Sequence, residues 1–236
     1  MTFRVRRVTT TRTGGVSEPP FATFNLGDHV GDDPADVAAN RARLASAVGL
    51  GEHIVWMNQV HGTNIVVVDH AGDTVADTDG LVTTTPRLGL AVVTADCVPV
   101  LMGDARAGVV AAVHAGRVGA ANGIVPKALA AMTEAGADVA DVSVLLGPAV
   151  SGPNYEVPEE MAAEVERALP GSRTTTHRGT PGLDLRAGIA RQLRSLGVRS
   201  IDIDRRCTVE DPTLFSHRRD APTGRLASLI WLEPGS

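Results

Sequence analysis

The chain has 236 residues, 43% of them hydrophobic, 21% charged and 3% aromatic, with a formal net charge of −5; no linker-like stretch divides it, so one domain over 1–236 is expected. The acidic balance argues against nucleic acid as a partner held by bulk charge. No apolar run reaches the roughly 18 residues that span a bilayer, and the start MTFRVRRVTT lacks the apolar core of a signal peptide, so the expected protein is cytoplasmic, off the membrane, and a monomer or weak homodimer.

With so few aromatics the core must be filled by Val, Leu, Ala and Ile, which suits sheets covered by helices. Residues 10–33 are loop by composition, dense in Gly, Pro, Asn and Asp. That segment reads either as a surface wrap or, through Arg12 beside Gly14-Gly15 and through Asn25, as an anion or substrate contact, because an Arg fork next to free backbone N–H groups suits phosphate. Asp33-Pro34 opens a helix, Asp as cap and Pro in the first turn, which Gly49 ends. A polar insert, Asn58-Gln59-Val60-His61-Gly62, precedes an apolar strand over 65–68.

The stretch 90–116 holds two Val- and Ala-rich runs, read as two paired strands buried on both faces. The first leads into Asp96 and Cys97, the second into His114. Further on, 119–136 reads as one helix closed by Gly136, 141–150 as a strand, 158–169 as a helix with acidic residues in its first turn, and 185–197 as a helix capped by Asp184. A strand over 198–204, a basic loop over 205–225 and a final strand over 227–232 complete the chain. That loop, with Arg205, Arg206, Arg218, Arg219 and Arg225, is either a solvated turn or a lid over an anionic substrate.

His61, Cys97 and His114 thus all stand where strands give way to turns. Singly, a His is most often a surface or core residue and a Cys an inert small hydrophobe; together they fit a metal ion. Two imidazoles and a thiolate suit Zn²⁺, with copper as the alternative, and three protein ligands leave a fourth position open, the mark of a catalytic site. Their wide spacing differs from the tight cysteine pairs of structural zinc modules. Cys207, the other cysteine, has no disulfide partner to expect in a reducing compartment.

Asn58 to Gly62, Asp79-Gly80, Thr94 to Val100, His114 to Arg117, Gly147-Pro148 and Phe215 to Asp220, with Thr11 to Ser17 and Asn25 to Gly27, resemble the family once called multicopper polyphenol oxidases or laccase-domain proteins. The resemblance spans nearly the whole chain. It implies an α+β fold, a β-sandwich-like sheet core flanked by helices, with His61, Cys97 and His114 as zinc ligands. It also implies a purine nucleoside phosphorylase with accompanying adenosine deaminase activity, or the peptidoglycan editing role of one branch. His217 departs from the aromatic residue that many members carry there.

In that reading purine nucleosides and inorganic phosphate are the small-molecule partners. Phosphate attacks the ribose anomeric carbon and needs Arg donors, for which Arg12, Arg117 and Arg225 are the candidates. Asn25 and Asn58 are placed against ribose or base, or else merely satisfy loop backbone. For deamination the metal would activate water, with Cys97, His114 and Asp96 as the catalytic set and Asp96 either relaying a proton or orienting a His. Two rivals stay open: a cysteine hydrolase acting on an amide such as a cell-wall precursor, with Cys97 activated by His114, and a zinc-stabilised binding module closed by a fourth protein ligand. The older polyphenol oxidase activity needs clustered coppers and more histidines than the seven present.

Overall fold

The computed structural model describes residues 3–235. In chain order the elements are β1 (Phe3–Thr9), α1 (Pro34–Val48), β2 (Ile54–Val55), β3 (Ile65–Val67), β4 (Gly80–Thr83), β5 (Gly89–Thr94), β6 (Val98–Asp104), β7 (Val109–Ala115), α2 (Arg117–Ala121), α3 (Ile124–Glu134), β8 (Ser143–Leu146), α4 (Glu159–Ala168), β9 (Arg173–Thr175), β10 (Pro181–Leu183), α5 (Leu185–Ser195), β11 (Ser200–Ile203), α6 (His217–Asp220) and β12 (Leu226–Pro234). Among the described residues the strands form a four-stranded sheet, β1-β12-β5-β2, a six-stranded sheet, β11-β8-β6-β7-β4-β3, and the β9–β10 hairpin. This is the α+β architecture the resemblance implies.

The two larger sheets stack face to face, and strand alternation shows why their sequences read as unbroken apolar runs. Leu90 and Val92 of β5, Ile230 and Leu232 of β12, Leu101 of β6 and Val110 and Ala112 of β7 share the cluster between the sheets. The alternate residues Val109, Ala111 and Val113 face outward onto Ile124, Leu129 and Met132 of α3 and Ile189 and Leu193 of α5. On the opposite side Ala91, Val93, Ala227 and Leu229 pack against Leu44 of α1. Helix, sheet, sheet and helices therefore lie in four layers.

The 90–116 stretch is three strands where two paired strands were expected. β5 belongs to the smaller sheet, antiparallel to β12, whereas β6 and β7 pair antiparallel in the larger one. Between them Asp96 takes a left-handed φ of 93°, and the chain crosses from one sheet to the other at Asp96-Cys97. Periodicity could not place that crossing, because the apolar character continues on both sides of it. The expected 119–136 helix is likewise two, broken at Asn122-Gly123, where Gly123 has a φ of 83°. Strand β1, paired with β12, and the β9–β10 hairpin were not anticipated.

Helix α1 follows its sequence signals. Asp33 accepts from Ala35 N–H, and Gly49 ends the helix at a φ of 70°. Its buried Asn40 ties the irregular 10–33 segment down, donating to Ser17 Oγ, Thr23 O and Asn25 O and accepting from Val16 N–H. Among the described residues no helix is long and apolar enough to cross a membrane.

Candidate metal centre

His114 lies on the face of β7 that carries Val110 and Ala112, so its ring points into the space between the two sheets and is buried. Cys97 arrives at the same end of that space by the crossover from β5 to β6, and His61 by the loop between β2 and β3. Their ligand atoms all lie within 4.8 Å of one another. Cys97 Sγ is 3.9 Å from His61 Nε2, and the two imidazole rings stand 4.7 Å apart, near perpendicular at 77°. Three nitrogen and sulfur atoms this close together are a donor set that one metal ion would draw on.

The backbone around the three side chains has left room for the group they form. A Cβ built on Gly116 would sit 2.9 Å from His61 Cδ2 and 3.2 Å from Cys97 Sγ, so only glycine lets the turn after β7 pass this close. The donor set and this cradle fit a borderline metal ion such as zinc.

One carboxylate organises the two histidines. Asp79, fully buried at the entrance of β4, accepts from His114 Nδ1 at 2.8 Å through Oδ1, which leaves His114 Nε2 for a metal. The same oxygen accepts from His61 N–H at 3.0 Å, and Oδ2 accepts from Gly62 N–H at 2.7 Å and Val60 N–H at 3.2 Å. These bonds hold the loop in which His61 adopts a left-handed φ of 59°. Burial raises the Asp79 pKa, but the imidazole and the backbone donors outweigh it and keep the group ionised. In the sequence the only signal of this role is an acid directly before a buried strand, Asp79-Gly80.

Without a metal, Cys97 and His114 each favour the other's charged form. Burial pushes the Cys97 thiol up, yet the His114 charge and the hydrogen bonds of both histidines bring it down to about 6. Burial lowers His114, and the thiolate charge with the Asp79 hydrogen bond raise it to about 9.

The group opens into a cavity of about 320 Å³ lined also by Arg117, Tyr155, Leu185, Arg218 and Arg225. Of the residues singled out in the sequence, the structure brings His61, Asp96, Cys97, His114, Arg117 and Arg225 to this cavity. Asp96 does not orient a histidine: its oxygens accept from Thr208 Oγ1 at 2.5 Å and Arg218 N–H at 2.6 Å, which fastens the 205–225 segment beside Cys97. Arg12 lies outside the lining, donating to Ala22 O at 3.2 Å, paired with Asp220 at 3.6 Å and stacked over Phe215. Asn25 is fully buried and structural, bonded to Gly27, to Asp32 and, at 2.8 Å, to Arg225 N–H. Asn58 is exposed, its backbone paired with Val75 and Thr78. Gln59, next to it, instead reaches the cavity by bonding both backbone groups of Val93 at 2.8 Å.

The 205–225 segment divides its arginines. Arg219 is a scaffold, donating to the carbonyls of Thr208, Val209, Asp211 and Leu214, and Arg206 pairs with Asp204, while His217, Arg218 and Arg225 face the cavity. Cys207 is buried and stands apart from the metal group, accepting from Ser151 N–H at 3.3 Å.

A purine nucleoside phosphorylase of Mycobacterium tuberculosis (strain H37Rv) is 73% identical over 235 residues, covering 99% of this chain and 94% of its own. One of Corynebacterium glutamicum is 58% identical, covering 97% and 94%. The crystal structure of YlmD from Geobacillus stearothermophilus superposes with a TM-score of 0.91 at 36% identity, over 98% of this chain and 92% of that one, and that of the Bacillus licheniformis protein YfiH with 0.90 at 33%, over 97% and 93%. The family model described as multi-copper polyphenol oxidoreductase laccase matches residues 6–233, and with that coverage the chain belongs to this family.

Proposed function

We propose that the protein is a zinc-dependent purine nucleoside phosphorylase that also deaminates adenosine. The observation that carries the reading is the pairing, in one cavity, of the His61–Cys97–His114 group with two cationic side chains, Arg117 and Arg225, brought from different layers of the fold. Close relatives bear the name purine nucleoside phosphorylase, which gives the cations an anion to hold.

In phosphorolysis an oxygen of inorganic phosphate forms a bond to the ribose anomeric carbon as the carbon–nitrogen bond to the base breaks. The proton that hydrogen phosphate gives up is the one the departing base gains. Arg117 and Arg225 bind the nucleophile and offset its charge as it approaches. His61, Cys97 and His114 would hold zinc, and a zinc ion there would supply the Lewis acidity that deamination by water needs. Asp79 keeps His114 in the tautomer that presents Nε2, and Asp96 keeps the 205–225 segment over the site.

The test is to incubate the protein with adenosine or inosine, with and without inorganic phosphate, and separate the products. Free base and ribose 1-phosphate are expected only with phosphate, and inosine from adenosine without it. Arg225→Ala and Arg117→Ala each lose a charged contact worth roughly 1.5–3 kcal/mol, about 10- to 100-fold in phosphorolysis, while deamination falls less. A chain that forms neither product from any purine nucleoside is not a phosphorylase.

A second reading follows from the low Cys97 pKa of about 6 and its imidazole neighbours, which are the parts of a cysteine nucleophile. A metal-stripped protein that hydrolyses amides such as cell-wall precursors, and is stopped by thiol alkylation, would establish that reading in place of the first.

A further inference from the structure

We propose that Tyr155, with Leu185 and the guanidinium of Arg218, forms the wall on which the purine ring of the substrate lies, so that this side of the cavity recognises the base and the Arg225 side takes phosphate. The inference rests on the nucleoside reading above and adds to it where each half of the substrate goes, with Arg117, whose charge also reaches the Tyr155 hydroxyl, shared between the two sides.

Tyr155 is the single tyrosine of the chain, and it lines the cavity that holds the metal group. Its ring is half-buried and packed on the large core cluster beneath α4 and α5. Its backbone is clamped on both sides, N–H to Gly152 O at 3.3 Å and C=O from Leu183 N–H at 3.1 Å, so the ring stands on a fixed support. Arg218 carries its guanidinium carbon 5.1 Å from the ring centre. It is held there by its own N–H on Asp96 at 2.6 Å and by Nη1 on Glu156 O at 3.2 Å. An aromatic ring with a stacked guanidinium presents flat, polarisable surface, and both are surfaces on which nucleobases stack.

The hydroxyl adds a directional contact. Burial and the Cys97 charge push the Tyr155 pKa up, against the opposing pull of Arg117 and Arg218, so the phenol stays protonated and can donate to a ring nitrogen or exocyclic oxygen. The Tyr155 ring and Leu185 offer an anion no charged donor, and the one cation of this wall, Arg218, is already spread over the ring and bonded to Glu156 O. Arg225 differs. Asn25 Oδ1 anchors its N–H at 2.8 Å, and Nη1 donates to Thr223 O and Gly224 O; among the described residues Nε and Nη2 carry no such bond, which leaves them for an anion.

The single tyrosine makes the test direct. The protein is grown with 3-fluorotyrosine, loaded with zinc, and its one fluorine resonance is followed on titration with adenosine, adenine or inorganic phosphate, alongside turnover and equilibrium dialysis with adenosine. The resonance is expected to shift with adenosine and with adenine and to stay put with phosphate. Tyr155→Leu should bind adenosine on the order of tenfold more weakly, and Tyr155→Phe within about threefold of the parent, both with full zinc content. An unmoved resonance in a protein that binds and turns over adenosine overturns the inference and leaves the phosphorylase reading standing. A shift produced by phosphate alone overturns it by making the wall an anion site. No binding and no turnover of any purine nucleoside removes the functional reading and the inference with it.

Discussion

Replacing Asp79 by asparagine changes one oxygen for an amide NH₂ at the point where four donors converge. Oδ1 receives His114 Nδ1 and His61 N–H, and Oδ2 receives Val60 N–H and Gly62 N–H. Whichever way the amide is turned, two N–H donors meet an NH₂ group. A buried donor left without an acceptor costs about 1–3 kcal/mol; with partial relaxation the pair should cost about 3 kcal/mol in the metal-free fold, a fall in Tm of roughly 6–12 °C for a chain of this length. A carboxylate that orients one ligating histidine is typically worth about 10- to 100-fold in metal affinity. Asp79 holds one ligand by its ring and another by its backbone, so the upper end, about 100-fold, is expected. The assay is zinc competition against a chelator of known affinity, with thermal unfolding of the metal-free and loaded forms. An Asp79→Asn protein that binds zinc within about threefold of the parent and melts within about a degree of it would refute the role given to this carboxylate.

The ligand assignment predicts about one zinc per chain, lost in His61→Ala, Cys97→Ala and His114→Ala and kept in Cys207→Ser; metal analysis of purified proteins decides it, and full retention in all three ligand variants would sink it. Gly116→Ala should weaken zinc binding more than it weakens the fold, because its Cβ meets His61 and Cys97, and an unchanged affinity would show that the turn can give way. In the metal-free protein Cys97 should react with iodoacetamide at a rate that climbs through about pH 6, since the thiolate is the reactive form and its depressed pKa populates it from that pH upward. Added zinc should suppress the reaction; a rate that rises only above pH 8 would place the thiol outside the influence of His114.

Local signals decided the elements whose stability is local. Asp33, Pro34 and Gly49 mark α1 at both ends, and Asp184 caps α5 through Ala187 N–H, because capping is satisfied within one turn of the chain. The three residues of the candidate metal group were legible too, as residue types that ligate metals standing at the ends of apolar runs, and the fold brings them together. Arg12 and Asn25 illustrate the opposite. Both sit in motifs that suit substrate contact, yet partners far along the chain, Asp220 beside Arg12 and the Arg225 backbone on Asn25, hold them away from the cavity lining.

What tertiary structure alone decided is the pairing of distant groups. An apolar strand buried on both faces has the same sequence whichever sheet it joins, so nothing in Leu90 to Thr94 reveals that β5 lies in one sheet and β6 in the next. That crossing brings Cys97 to the space His114 points into. Tyr155 carries no local mark of its role, and Asp79 only that of an acid before a buried strand, since a buried carboxylate is defined by the donors that surround it and an aromatic wall by the cavity it borders. Composition and periodicity set which residues are apolar and where turns fall; which polar atoms meet is set by long-range packing, because a hydrogen bond depends on distance in space and sequence records only distance along the chain.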